Sequence, residues 1–272
     1  LRTVKDIFFV DADFNANKTM DIKGADGERL YIDIDFDPYA YATRIGAITH
    51  TPLIIGDKYK YLTKLDKGDI VIFHHFVCQE DNRVIVDGKH YFKADFCHLF
   101  AKIKNNTVTP LEQFIFVRPI KDEVKFMGKL QISFEDKNLK STGIIEYLSE
   151  EAKGVGLKVG DKVFYTKNAE YKMNILGTEF YRMRIRNILL VERDGDLICL
   201  NDRLLLKAIK KTGMWVTGNE KALTAEVCGV MDGESHIAIG DIIGYSRGLD
   251  YPIEYKGVEY LLTRRENANY LA

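Results

Sequence analysis

The sequence predicts an all-β protein built as three related small modules in series. Three observations carry this. A Gly-Asp pair recurs in one local setting: Lys67-Gly68-Asp69-Ile70-Val71-Ile72-Phe73, Lys158-Val159-Gly160-Asp161-Lys162-Val163-Phe164-Tyr165 and Ile239-Gly240-Asp241-Ile242-Ile243-Gly244-Tyr245. Each pair is followed, roughly sixteen to nineteen residues on, by Gly-x-x-aromatic: Gly88 to Tyr91, Gly177 to Phe180 and Gly257 to Tyr260. Tyr, Phe, Val and Ile are plentiful and helical stripes are few, which favours strands. A repeat at the spacing of a small domain decides architecture ahead of any single residue.

Each module opens with a short apolar run: Ile7-Phe8-Phe9-Val10, Phe114-Ile115-Phe116-Val117 and Leu204-Leu205-Leu206. These runs have strand length and no helical period. A polar, poorly patterned segment follows, long in the first module (about 11 to 37), medium in the second (about 120 to 141) and short in the third (about 207 to 224). A strand then returns around a glycine: Arg44-Ile45-Gly46-Ala47-Ile48, Thr142-Gly143-Ile144-Ile145 and Val227-Cys228-Gly229-Val230. Gly-Asp comes next. Glycine tolerates positive φ and Asp bonds its own nearby backbone, so the pair closes a turn. The strand it launches is expected to place Ile70, Ile72, Val163 and Ile242 on a common type of face. A second glycine closes a hairpin at Asp87-Gly88, Leu176-Gly177 and Lys256-Gly257. Strands of this length and spacing argue for small barrels or sandwiches. The joints are expected near 105–111 and 193–202, where Asn105-Asn106-Thr107 and Asp194-Gly195-Asp196 read as turns. The modules are therefore expected at 1–110, 111–198 and 199–272.

Composition bounds the rest. The formal net charge is −1, so nothing pulls the whole chain toward nucleic acid or an anionic membrane. No apolar run is long enough to span a bilayer. No signal-peptide pattern opens the sequence, which starts at Leu1. The four cysteines, Cys78, Cys97, Cys199 and Cys228, form no C-x-x-C and read as reduced residues of a cytosolic protein.

The third module resembles a co-chaperonin of the GroES type. The residues that carry this are Asn201-Asp202-Arg203-Leu204-Leu205-Leu206, Gly240-Asp241-Ile242-Ile243-Gly244-Tyr245, Tyr255-Lys256-Gly257-Val258-Glu259-Tyr260-Leu261-Leu262 and Asn267-Ala268-Asn269-Tyr270-Leu271-Ala272. The second module resembles the family from Lys158 to Val191, and the first from Lys67 to Phe73 and from Gly88 to Ala101. The resemblance implies irregular β-barrels that assemble into a ring and cap a chaperonin of the GroEL type. It implies no cofactor and no metal. The family's contact is a mobile loop between the first two strands, with an apolar tripeptide after a glycine. The matching residues are Met214-Trp215-Val216 after Gly213, Leu130-Gln131-Ile132 after Gly128-Lys129, and Leu30-Tyr31-Ile32 after Gly27-Glu28-Arg29. Trp215 is the one Trp in the chain, and a Trp in a short polar loop suits a binding anchor; packing on its own barrel is the other reading. The segments of the first two modules alternate apolar and polar residues, which also fits ordered edge hairpins. The family carries one module per chain in a sevenfold ring, or two in plastid forms. Three modules per chain do not divide seven, so a ring of these chains is pseudo-symmetric, layered, or caps something of another symmetry.

Other chemistry is weaker. Asp33, Asp35 and Asp37 share a strand face, but the glycine and closing Glu of a calcium loop are missing, and a solvated edge is the simpler reading. His74, His75, His90, Cys97, His98 and Cys78 cluster in the first module. His74 and His75 are expected on opposite faces of a strand, which argues against one tetrahedral zinc site. Arg182, Arg184 and Arg186 are expected to alternate on a strand as one positive face, solvated or at an interface, with nucleic acid an unfavoured partner. Arg264-Arg265 reads the same way. No phosphate loop and no G-x-S-x-G occur. A dehydrogenase built on the same barrel needs a dinucleotide-binding domain for which the chain has neither motif nor room. The chain is thus expected to be no enzyme. It is expected in the cytoplasm, as an oligomeric lid whose several weak tips bind a chaperonin together. A structural ring or collar, including one in a bacteriophage virion, is the alternative.

Overall fold

The computed structural model describes residues 2–3, 6–12, 20–23, 29–32, 44–54, 64–120, 125–127, 130–132, 141–166, 168–175, 177–209, 222–230, 236–246 and 250–271. Of residues 20–23, 29–32, 125–127, 130–132, 222–223 and 250 it describes the backbone alone.

The first stretch holds β1 (Ile7–Asp11), β2 (Met20–Lys23), β3 (Arg29–Ile32), β4 (Ile45–His50), β5 (Ile70–Phe73), β6 (Arg83–Val86), β7 (Lys89–Asp95), β8 (Leu99–Lys104) and β9 (Thr107–Pro110). Seven of them form a sheet in the order β6-β7-β1-β4-β5-β8-β9, and β2 pairs with β3. The second stretch holds β10 (Phe114–Pro119), β11 (Lys125–Met127), β12 (Leu130–Ile132), β13 (Thr142–Leu148), β14 (Lys162–Tyr165), β15 (Tyr171–Ile175), β16 (Thr178–Arg184), β17 (Ile188–Arg193) and β18 (Asp196–Cys199). Its sheet runs β15-β16-β10-β13-β14-β17-β18, and β11 pairs with β12. The third holds β19 (Arg203–Ala208), β20 (Ala222–Val230), β21 (Ile242–Ser246), β22 (Asp250–Tyr255), β23 (Val258–Arg264) and β24 (Ala268–Leu271), in the order β22-β23-β19-β20-β21-β24. One order is used three times: hairpin, opening strand, return strand, Gly-Asp strand, closing strand. A single helix among the described residues, α1 (Glu150–Gly154), is capped by Ser149, whose side chain accepts the Ala152 amide at 3.2 Å.

The irregularities repeat as well. The ladder slips between Ile72 and Phe73, between Phe164 and Tyr165, and between Gly244 and Tyr245, at one position of each Gly-Asp strand. It slips again between Phe9 and Val10 and between Leu205 and Leu206 in the opening strands. Such bulges bend and twist a sheet. The bending lets one sheet wrap its own interior, and so the sheets are barrel-like. In the first, Phe8, Val10, Ile48, Val71, Phe73, Phe92, Ala94 and Leu99 meet in one core. In the third, Leu204, Leu206, Ala225, Val227, Ile243 and Tyr245 do the same.

The glycine corners have the predicted reason. Gly68, Gly160 and Gly240 adopt φ of 93°, 91° and 95°, the left-handed region in which a Cβ is strained. Asp69 and Asp241 then accept the amides of Asp66 and Ala238, each at 2.7 Å. The hairpin tips Asp87-Gly88 and Lys256-Gly257 have positive φ at both positions, the two-residue turn that matches strand twist.

Two expectations are corrected. Val163 does not share a face with Ile70 and Ile242. It stands third after its glycine, as do Val71 and Ile243, and these three are the fully buried set, whereas Ile70 is exposed. Alternation has to be counted from the turn and not from residue type. The return-strand glycines also differ in place. Gly46 and Gly143 lie opposite Val71 and Val163, but in the third sheet Ala225 holds that place, opposite Ile243, and Gly229 lies opposite Leu205.

Internal contacts divide the chain into two compact units, Leu1–Val117 with Glu146–Lys158 and Tyr171–Met183, and Arg118–Ile145 with Val159–Glu170 and Arg184–Ala272. Each contains a seam between sheets. In the first unit Ile72, Phe100, Ala101 and Val108 of the first sheet meet Phe116, Tyr171, Met173, Ile175 and Phe180 of the second. In the second unit Phe164, Leu189, Leu190 and Cys199 of the second sheet meet Leu205, Ile253 and Leu262 of the third.

Candidate functional site

The nine residues expected to touch a chaperonin fall on three segments that leave the sheets at one topological place, between opening and return strands. The segments are pinned where they leave. The Ile120 amide donates to the Thr142 carbonyl at 3.1 Å, the Ile209 amide to the Thr224 carbonyl at 3.2 Å, and Asp11 lies opposite Ala47. Ile120 and Ile209 are matching exposed apolar residues at these roots, each 42% accessible.

Leu30, Tyr31 and Ile32 lie in β3, with Tyr31 opposite Asp21 of β2. Leu130, Gln131 and Ile132 form β12, with Gln131 opposite Phe126 of β11. The backbone of both tripeptides is thus that of a two-stranded ribbon. Met214, Trp215 and Val216 lie outside the described residues, as do Asp33, Asp35 and Asp37.

Among the described residues, a dense group of polar and aromatic side chains lies elsewhere, in the first unit. Arg44, the buried residue that ends the first segment, lies over the Tyr171 ring at 4.9 Å and donates to the Lys172 carbonyl. Arg182 lies over Phe100 at 4.4 Å, Tyr171 at 4.8 Å and Phe114 at 4.9 Å. A guanidinium over ring faces gains from the ring quadrupole, more so where water is excluded. The Tyr171 hydroxyl also pairs with the amide and ring of His75.

The strand β5 ends at Phe73, so His74 and His75 are not on opposite faces of a strand. They lie in the turn beyond it, with rings stacked at 4.3 Å. Burial first, then repulsion from the neighbouring His75, His98, Arg182 and Arg44, holds His74 down at about 3. Burial first, then Arg44, holds His75 at about 4. Both rings are therefore neutral at neutral pH, which permits the stack, and Nδ1 of His74 accepts the Phe76 amide at 3.2 Å. His90 is engaged by Arg83 at 3.1 Å, and Cys78 is buried in the first core. Among the described residues no three His, Cys, Asp or Glu side chains converge as a metal site.

The arginine stripe is also corrected. Strand β16 ends at Arg184, and Arg186 stands exposed on a short 3₁₀ turn, Ile185–Asn187. Arg182 is engaged with the three rings and is not part of a solvated face. Arg264 pairs with Glu266 at 3.2 Å and Arg265 with Asp202 at 3.3 Å. All four cysteines are free thiols. No helix among the described residues is long and apolar enough to cross a membrane.

Sequence reasoning missed the seams. Their signal was present in β10, β17 and β19, which are apolar at consecutive positions. A strand with no polar face is covered on both sides.

Fold and site together define an all-β chain of three like-ordered, barrel-like sheets, each with a segment inserted after its opening strand. Residues 107–192, from β9 through most of β17, match the family model Chaperonin 10 Kd subunit. That stretch is GroES-like, and the first and third sheets repeat its strand order. The chain therefore carries a co-chaperonin-type domain. No curated protein matches the chain.

Proposed function

We propose that this protein is a co-chaperonin-like lid of three modules, 1–110, 111–198 and 199–272, that forms an oligomeric ring in the cytoplasm. The observation that carries the reading is the family match over 107–192, joined to segments of unequal length at one place in all three sheets. The lid does no hydrolysis and needs no cofactor; the chaperonin supplies ATP. Met214, Trp215 and Val216 are the principal contact, and Leu30-Tyr31-Ile32 and Leu130-Gln131-Ile132 are secondary ones. Weak tips on one body bind jointly far more tightly than singly.

The test mixes the purified protein with a chaperonin of its host and nucleotide, and looks for end-capped particles by electron microscopy. Capping that weakens about tenfold or more in Trp215→Ala supports the lid. A protein that never caps a chaperonin but sits in purified virions or other assemblies is the structural ring or collar. One observation favours that second reading: the tripeptides of the first two segments lie in paired ribbons, β2–β3 and β11–β12.

A further inference from the structure

The second seam keeps the strands of the first but places its guanidinium differently. Tyr171 lies opposite Arg182, four residues before the end of β15, and Tyr251 lies opposite Leu262, four residues before the end of β22. Phe114 and Arg203 each begin the opening strand of their sheet, and Arg184 and Arg264 each end the second strand of the hairpin. The place that Arg182 fills in the first seam is therefore taken by Leu262 in the second. A guanidinium returns on the adjacent strand, at Arg203, where the second sheet has a phenylalanine. Arg264 lies directly opposite Arg203 across the ladder, and opposed residues share a face. Leu205, Leu262 and Tyr251 stand on that same face two residues away.

The two guanidiniums keep different company. That of Arg182 lies over three rings. Arg203 is 7% accessible, and its Nε is shut from water with no hydrogen-bond acceptor among the described residues. Burial first, then Arg264, pushes its pKa down; Tyr251 and Cys199 act the other way, and no carboxylate of the described residues stands among these groups. Asp202, its neighbour in sequence, is taken by Arg265 at 3.3 Å. A cation buried without a counter-ion is costly, so the place invites an anion. The way in is open. In the first seam Arg44, whose carbonyl accepts the Phe73 amide at 2.8 Å, reaches over Tyr171, which is 7% accessible. The same backbone bond in the second sheet runs from the Tyr165 amide to the Ser141 carbonyl at 3.0 Å. A serine cannot reach across to the next hairpin as that arginine does, and Tyr251 is 43% accessible.

We propose that Arg203, Arg264 and Tyr251 form a binding site for a dianionic oxyanion of the phosphate class at the end of the second seam. Arg203 supplies the charge that is already buried, and a guanidinium fork holds two oxygens of one anion. The Tyr251 hydroxyl donates to another oxygen. Arg264 adds the second charge. Its contact with Glu266 at 3.2 Å joins side chains 65% and 69% accessible, a pair that water loosens, so turning toward the anion costs little. Two cations are balanced by two negative charges, which a single carboxylate does not bring. The site stands apart from the inserted segments and does not depend on the lid reading.

The test is isothermal titration of the full chain with inorganic phosphate, in chloride at fixed ionic strength. Saturable binding of one ion per chain is expected. Sulfate is expected to compete. Acetate is expected to bind about tenfold or more weakly, since it brings one charge and fewer charge-assisted bonds. Arg203→Met is expected to abolish binding. Arg264→Gln combined with Tyr251→Phe, both at accessible side chains, is expected to weaken it about tenfold or more. Such an anion comes as the free ion or on a phosphomonoester. Tighter binding of O-phosphoserine than of inorganic phosphate assigns the ester, the reverse assigns the free ion, and either supports the site. No saturable binding to wild type overturns the proposal, and so does wild-type binding by Arg203→Met. Acetate that binds as tightly as phosphate overturns the dianion. Circular dichroism checks that the variants fold. Should Arg203→Met unfold, the Arg264 and Tyr251 double variant decides, and unaltered binding there overturns the proposal.

Discussion

The Tyr171 hydroxyl stands 3.1 Å from the backbone amide of His75 and also reaches the Nδ1 of its ring, across 96 residues of sequence. One oxygen thus ties the turn after β5 to the first strand of the next sheet's hairpin. Tyr171→Phe keeps the ring contact with Phe100 at 5.4 Å and removes both bonds. The expected loss is about 1–2 kcal/mol, read as a lower urea midpoint at an unchanged slope. An unmoved midpoint would show that the hydroxyl contributes nothing.

Acid should loosen the same region. Free imidazoles titrate near about 6.5, whereas His74 and His75 are held at about 3 and about 4 in the folded chain. Below the ordinary value the unfolded chain binds protons that the folded one does not. The stabilisation is therefore complete above about pH 6.5 and falls away toward pH 4 and 3. Stability measured against pH should slope down through that window, by on the order of 2–3 kcal/mol after allowing for partial water access. His74→Gln should flatten the slope, and an equally steep curve in that variant would assign the acid sensitivity elsewhere.

Arg193 grips Asp161 with two bonds, Nε to Oδ1 at 2.8 Å and Nη2 to Oδ2 at 2.6 Å, and the Asp161 side chain is 3% accessible. Asp69, the Gly-Asp aspartate of the first sheet, pairs with Lys102 through one bond at 2.6 Å, and its carboxylate is more open than that of Asp161. Arg193→Ala should cost about 3 kcal/mol, because it leaves the charge of a buried carboxylate without its counterion. Lys102→Ala should cost less, about 1 kcal/mol. Thermal unfolding of both variants tests the ranking, and equal losses would contradict it.

Gly46 sits where a Cβ would lie 2.6 Å from the Asp11 carbonyl oxygen and 2.7 Å from Val10 Cγ1. Backbone cannot step aside cheaply, so Gly46→Ala should destabilise by about 2 kcal/mol or more. Gly229→Ala meets Leu205 Cβ at 3.2 Å and should cost about half as much. A calorimetric comparison of the two decides whether the strand approach is as close as it stands here.

Much of the architecture could be read from residue order. The Gly-Asp corners, the opening runs and the two-residue tips are local, and local chemistry fixes them. Gly88 and Gly257 mark their turns because few other residues accept that backbone. The failures involve position across strands or the point where a strand ends. Gly229 looked equivalent to Gly46, yet a bulge between Leu205 and Leu206 and a different register place it four residues away in role. His74 and His75 read as strand neighbours, because nothing in Ile-Val-Ile-Phe-His-His announces that β5 stops at Phe73. Arg182 read as one of a positive stripe, solvated or at an interface, because its cage, Phe100, Phe114 and Tyr171, is assembled from two sheets. Of the candidate site, the three insertion points were evident from the repeat, whereas the faces between sheets were not.

The two internal seams are filled differently. One holds arginines, histidines and aromatic rings; the other holds Phe164 with Leu189, Leu190, Leu205 and Leu262. A protein that repeats one identical subunit must make every joint from the same two surfaces. Here each joint is spelled separately, so a change on one side can be answered by its neighbour alone. The linear order of the three sheets is thereby keyed. A shuffled gene that exchanged the second and third would set a leucine where a guanidinium expects aromatic company, and such a chain should misassemble even with every strand intact.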